Sequence, residues 1–227
     1  MKLVEYPDAD MMMIDVANHI AGELNEHLMV NGKASFAVPG GSTPGPIFDV
    51  LSAADLDWSQ VLVLPTDERW VPEDDAGSNA RLIRERLLVG RASAAQFFSF
   101  YQDGTTPEAH CDALAARLQD QLPLSVLVLG MGADMHTASL FPIKAVDADY
   151  RHGTNPIFAP VKMPGLGKLG TRVTLTEEAL NGAMSKHVLI TGAEKRDALQ
   201  RAIKIGDPAI APIAGVLSGA TVHWSES

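Results

Sequence analysis

Short runs of branched apolar residues, each stopped by glycine or proline, constrain this chain more than any other feature. Residues 34–38 end at Pro39-Gly40-Gly41, residues 61–64 at Pro65, and residues 124–129 at Gly130. None alternates strictly with polar residues, which predicts strands buried on both faces. Helical patterns lie between and around them, at 10–29, 44–51, 79–88 and 107–121, the last with proline in its first turn. In the first of these, Ile14, Ala17, Ala21, Leu24 and Leu28 form the expected apolar face. Residues 97–101 read as a further strand. The pattern continues with strands at 172–175, 187–191 and 221–224 and helices at 177–181 and 194–203. This alternation predicts an α/β fold, a mostly parallel sheet with helices on both faces. The Gly/Pro-rich stretch 155–170 keeps apolar residues and reads as a loop on the same domain, so 1–227 reads as a single domain.

Composition narrows the setting. The single cysteine, Cys111, excludes an internal disulfide framework and a multi-cysteine zinc site, and predicts a reducing cytoplasm. Asp8, Asp10 and Asp15 come too early for a secretory leader, and no apolar run approaches the roughly 20 residues of a membrane span. With 18 Lys plus Arg against 28 Asp plus Glu, the net charge of -10 argues against nucleic acid as a partner. The charge is uneven. Residues 1–150 carry 9 basic and 22 acidic side chains, whereas 151–204 carry 9 basic and 4 acidic. A basic segment in an acidic protein can hold a small anion, or simply form a solvated helix face.

Ligands of such sheets bind beyond the carboxyl ends of the strands, so the turns there carry the candidate chemistry. The first is Pro39-Gly40-Gly41-Ser42-Thr43-Pro44. Its glycines allow a sharp turn and Thr43 can cap the next helix, whose free N–H groups suit a phosphate. The second is Gly130-Met131-Gly132-Ala133-Asp134-Met135-His136. Met135 stands where a dinucleotide fingerprint needs its third glycine, so that reading is weak. Asp134 instead can orient His136, an imidazole able to take a proton from water. The third is Thr66-Asp67-Glu68-Arg69-Trp70-Val71-Pro72, where Arg69 can hold an anion or stabilise an oxyanion. A local Arg–Glu pair beneath a Trp70 lid is the structural alternative. The sequence has no His-Glu-x-x-His motif, no Walker loop and no Gly-x-Ser-x-Gly elbow, and Cys111 reads as packing.

Taken in order, these segments resemble the glucosamine-6-phosphate isomerase/6-phosphogluconolactonase family. The matching stretches are PGGSTP, TDERWVP, Ser78-Asn79, LGMGADMHTASLFP, RVTLT and GAEKR, spread over most of the chain. The resemblance implies a three-layer αβα fold with a Rossmann-like sheet, and hydrolysis of the δ-lactone of 6-phosphogluconate in the pentose phosphate pathway. It implies that His136 activates water beside Asp134, with Arg69 near the reacting lactone. Gly41, Ser42 and Thr43 match the phosphate turn, and Arg172 and Lys195 match basic residues of the sugar-phosphate site. Asp67 joins the substrate site as a carboxylate available for binding or as a base. The partner expected is a phosphosugar lactone, with no metal or organic cofactor, no membrane, and a monomeric or small homo-oligomeric state. Met135 departs from the glycine expected between Asp134 and His136. An aminosugar-phosphate deaminase is the nearest rival, weakened because Ser139-Leu140-Phe141-Pro142 offers no carboxylate. A sugar-phosphate sensor is weakened because Asp134 and His136 are both present.

Overall fold

A computed structural model describes residues 1–146 and 155–226. Seven strands form one parallel sheet in the order β1-β10-β9-β6-β2-β3-β5. They are β1 (Lys2–Tyr6), β2 (Ala34–Val38), β3 (Val61–Pro65), β5 (Gln96–Phe97), β6 (Val126–Gly130), β9 (Ser185–Thr191) and β10 (Thr221–Ser225). The apolar runs are uninterrupted because both faces of the sheet are covered. Phe36, Val61, Val63, Val126 and Val128 pack with α1 (Ala9–Asn31), α2 (Gly45–Ser52) and α3 (Asn79–Arg86). Their neighbours Ala37, Leu64, Leu127 and Leu129 pack with α4 (Pro107–Leu118), α5 (Glu177–Asn181) and α6 (Ala193–Ile205) on the other side. The result is the expected three-layer αβα arrangement. No helix among the described residues is long and apolar enough to cross a membrane.

Connections from β2 run outward through β3 to β5, and those from β6 run the opposite way through β9 to β10, beyond which the first strand, β1, forms the edge. The order therefore reverses between β2 and β6. At such a switch point the two following loops diverge and leave a crevice at the strand ends. Here those loops are the glycine-rich turns after Val38 and Leu129.

A second sheet, of three antiparallel strands, was not expected. Its order is β4-β8-β7, with β4 (Asp67–Arg69), β7 (Phe158–Lys162) and β8 (Thr171–Leu175). The chain leaves the large sheet at Pro65 and enters β4 two residues later. The segment expected to be a charged turn is thus an extended strand. β7 falls inside the stretch expected to be a loop, and its Pro160 is tolerated because β7 is an edge strand.

Three further expectations need correction. Ile14 is 51% exposed, and the buried face of α1 is Met12, Met13, Val16, Ala17, Ile20 and Leu24. Only Gln96–Phe97 of the strand expected at 97–101 pairs with the sheet, although Phe98 and Phe100 are buried in the core. Thr43 does not cap α2: Pro44 occupies the cap position with no side-chain hydrogen bond. The Gly45 N–H donates to Ser42 O in a turn that precedes the helix, which places Thr43 inside that turn.

Candidate active site

The crevice at the switch point is a cavity of about 300 Å³. It is lined by the sequence-predicted Gly41, Ser42, Thr43, Asp67, Arg69, His136, Arg172 and Lys195, and also by Asn79. Asp134 stands one step behind, bonded to His136.

The turn after β6 is folded around that bond. His136 Nδ1 lies 2.5 Å from Asp134 Oδ1. The Gly132 N–H donates to His136 O at 3.0 Å, and the Met135 N–H donates to Gly132 O at 2.9 Å. Thr137 Oγ1 donates to Gly130 O at 2.8 Å, which ties the turn to its strand. Gly132 is required here by space. A Cβ at that position would sit 2.2 Å from His136 Nδ1 and 2.4 Å from Asp134 Oδ1. Met135, the departure noted in the sequence, takes φ 69°, the left-handed conformation that glycine adopts at no steric cost. The backbone therefore follows the turn a glycine would make, and the Met135 side chain packs on the core.

The turn after β2 offers backbone donors. Gly41 takes φ 88°, and the N–H groups of Gly41, Ser42 and Thr43 donate to no group among the described residues. A second uncapped terminus adds to them. Gly192, at φ 84°, precedes α6 without a side-chain cap, and Lys195 lies in the first turn of that helix. Free N–H groups and a lysine at a helix start form a positive region suited to an anion.

The small sheet supplies the remaining wall. β4 and β8 place Arg69 and Arg172 as direct cross-strand partners. Arg69 Nη1 donates to Gly77 O at 3.2 Å and to Asn79 Oδ1. Arg172 Nη1 donates to Ser139 Oγ at 3.3 Å and lies 3.9 Å from Asp67 Oδ2. Ser139 Oγ donates in turn to that carboxylate at 2.5 Å. Burial pulls the Arg172 guanidinium below its ordinary range, Asp67 opposes that shift, and Arg69 adds to it.

Glu68 is almost wholly buried behind Arg69. Its carboxylate does not pair with the Arg69 side chain, so the local Arg–Glu pair is not formed. Instead it accepts from the N–H groups of Arg69, Asn79 and Ala80 and from Ser78 Oγ. Burial pushes this carboxyl up to about 7, against the backbone donors that favour its charged form. Trp70 is a packing residue, its indole N–H donating to Thr105 O and its ring beside Tyr101 and His110. Cys111 is buried in the core, which pushes its thiol up to about 12 and leaves it un-ionised at neutral pH.

Asn79, Ser139, Glu68 and Gly132 were not singled out from the sequence as site residues. All four lie within the matching stretches, and the density of charge around Glu68 is a further signal there. A neighbouring cavity of about 320 Å³, beyond Ser139 and Phe141, includes Glu177 and Glu178 in its lining but no cationic side chain among the described residues. It suits an anion poorly.

The chain matches a family model described as glucosamine-6-phosphate isomerases/6-phosphogluconolactonase over residues 7–224. The chain belongs to this family. A relative from Pseudomonas aeruginosa named 6-phosphogluconolactonase is 37% identical, covering 92% of this chain and 88% of its own. Another so named, from Rhizobium meliloti, is 35% identical and covers 99% and 98%. Among solved structures, a 6-phosphogluconolactonase from Shewanella baltica superposes with a TM-score of 0.91 at 32% identity, covering 99% of this chain and 97% of that one. The structural match thus extends over nearly the whole chain.

Proposed function

We propose that this protein hydrolyses the δ-lactone of 6-phosphogluconate to 6-phosphogluconate, as a single-domain cytoplasmic enzyme without metal or organic cofactor. The observation that carries this reading is the convergence of the His136–Asp134 pair with Arg69, Arg172, Lys195 and free loop N–H groups around one cavity. A general base and a dense cationic site are what a phosphorylated lactone requires. The names of the relatives at 37% and 35% identity support the same substrate.

The hydrogen bonds support the following chemistry. Asp134 accepts the Nδ1 proton of His136, which leaves Nε2 as the basic nitrogen. Nε2 takes a proton from a water as its oxygen attacks the lactone carbonyl carbon. The tetrahedral oxyanion is stabilised by Arg69 or loop N–H groups, a contribution of ~3–4 kcal/mol for a well-placed donor. Protonated His136 then returns the proton to the ring oxygen as the C–O bond breaks. A lactone is already an activated ester, so no covalent nucleophile is needed. Lys195, Arg172 and the Gly41-Ser42-Thr43 turn hold the phosphate, and Asp67 orients Arg172. Binding the phosphate fixes the carbonyl in register with His136.

The test is a coupled assay on freshly prepared 6-phosphogluconolactone, corrected for spontaneous hydrolysis and run beside glucosamine 6-phosphate. Turnover of the lactone alone is expected. Turnover of the aminosugar phosphate with none of the lactone would overturn the reading in favour of a deaminase.

A further inference from the structure

We propose that Asn79 is a positioning residue for Arg69, the side chain that holds its guanidinium at the cavity. Asn79 is 2% exposed and opens α3, yet its amide touches three separate parts of the site. Its Oδ1 accepts from Arg69 Nη1, and its Nδ2 donates to Asp67 O at 2.7 Å. Its own N–H donates to Glu68 Oε1 at 2.8 Å, and that same oxygen accepts the Arg69 N–H at 2.8 Å. Glu68 therefore fixes the backbones of Arg69 and Asn79 to one another, and the amide fixes the guanidinium.

The third contact is with the glycine turn. A Cβ at Gly40 would lie 1.9 Å from Asn79 Oδ1 and 2.7 Å from its Nδ2. The amide thus occupies the space that only glycine leaves free, pressed between the phosphate turn and β4. This explains Gly40 independently of backbone conformation, because Gly40 is not in the left-handed region. Without the amide, Arg69 Nη1 keeps only Gly77 O among the described residues, and a long flexible side chain gains rotamers that point away from the ligand.

This role rests on the reading of Arg69 as a ligand-facing group, and a double-mutant cycle separates the two. kcat and KM for 6-phosphogluconolactone would be measured for Asn79→Ala, Arg69→Ala and the double variant, with melting temperatures recorded to check the fold. Asn79→Ala is expected to lower kcat/KM on the order of tenfold, the size of coupling usual within one hydrogen-bond network. The loss should fall in the same parameter, kcat or KM, that Arg69→Ala changes. In the Arg69→Ala background, removing the Asn79 amide should then change kcat/KM less than about twofold. An undiminished loss in that background, or no loss in the single variant, overturns the positioning role. If Arg69→Ala itself keeps wild-type kcat/KM, the ligand-facing role of Arg69 fails and the proposal fails with it. Should Asn79→Ala not fold, Gly40→Ala displaces the same amide without removing it, and the same cycle with Arg69→Ala applies.

Discussion

Arg69 and Arg172 are register partners across the antiparallel pair β4–β8, and both line the same cavity. Like charges placed opposite each other in a sheet are destabilising unless a counter-charge lies between them. Asp67 supplies part of it, 3.9 Å from Arg172. An anion in the cavity would supply the rest. Inorganic phosphate or 6-phosphogluconate is therefore expected to raise the melting temperature, with a gain of about 2.7 kcal/mol at a ligand concentration a hundredfold above Kd. The gain should shrink in Arg172→Gln. An unchanged melting curve up to high phosphate would contradict an anion site here.

On the proposed reading, Lys195 contributes to affinity rather than to chemistry. It lies in the first turn of α6 and makes no ion pair among the described residues. Lys195→Ala should raise KM for 6-phosphogluconolactone on the order of tenfold while changing kcat little, as expected for a uniform binding contact worth about 1.4 kcal/mol. If the wild-type enzyme turned over the unphosphorylated lactone as well as the phosphorylated one, the phosphate assignment would be wrong.

Gly132 leaves open the space that the His136–Asp134 pair occupies. Alanine there is compatible with the backbone, whose φ is not positive, but its methyl would meet His136 Nδ1 and Asp134 Oδ1. Gly132→Ala should cost activity on the order of a hundredfold by displacing the imidazole, with a near-normal melting temperature. Crystallography or NMR of the variant should find the His136–Asp134 bond broken. Full activity would mean that the bond is dispensable.

The sequence made the strand ends legible because a buried parallel strand must be apolar on both faces and must stop where the chain turns. It made the small sheet illegible for the opposite reason. β4 is three polar residues, Asp67-Glu68-Arg69, whose pairing with β8 lies over a hundred residues away, and β7 contains Pro160. No local pattern distinguishes such strands from turns. The site shows the same division. His136, Asp134, Arg69, Arg172 and Lys195 were readable as chemical types at strand ends or through the family resemblance. Asn79 and Ser139 act by where the fold brings them, the former against Gly40 and the latter between Asp67 and Arg172.

A polar chain outside the site gives a prediction about pH. Tyr6 Oη donates to Asp15 at 2.7 Å and so accepts from His223 Nδ1 at 2.9 Å. His223 Nε2 meets His187 Nδ1 at 3.0 Å, and His187 Nε2 meets Glu23 at 2.8 Å. Burial pulls the His223 pKa down to about 4; His187 and His19 add to the shift, and Asp15 and Glu23 oppose it. The folded value lies below the unfolded one of about 6.5, so the associated stability is complete above about pH 6.5. It is lost as pH falls toward 4, by up to about 3 kcal/mol. Glu68 acts in the opposite sense, because its raised folded value of about 7 costs stability as pH rises from about 4.5. The two overlap in any whole-protein melting profile, so His223 should be followed by NMR. Its imidazole signals should stay neutral down to about pH 5, and titration near 6.5 would contradict the burial argument.

The most direct test of the account is the rate of 6-phosphogluconolactone hydrolysis by His136→Ala, measured at saturating substrate after subtracting spontaneous hydrolysis. A loss of at least about a hundredfold in kcat is expected from removing a general base. Binding of 6-phosphogluconate, followed by calorimetry, should stay within about threefold of wild type, because no phosphate contact depends on the imidazole. A His136→Ala enzyme that turns over the lactone at close to the wild-type rate would contradict the assignment of His136 as the group that activates water.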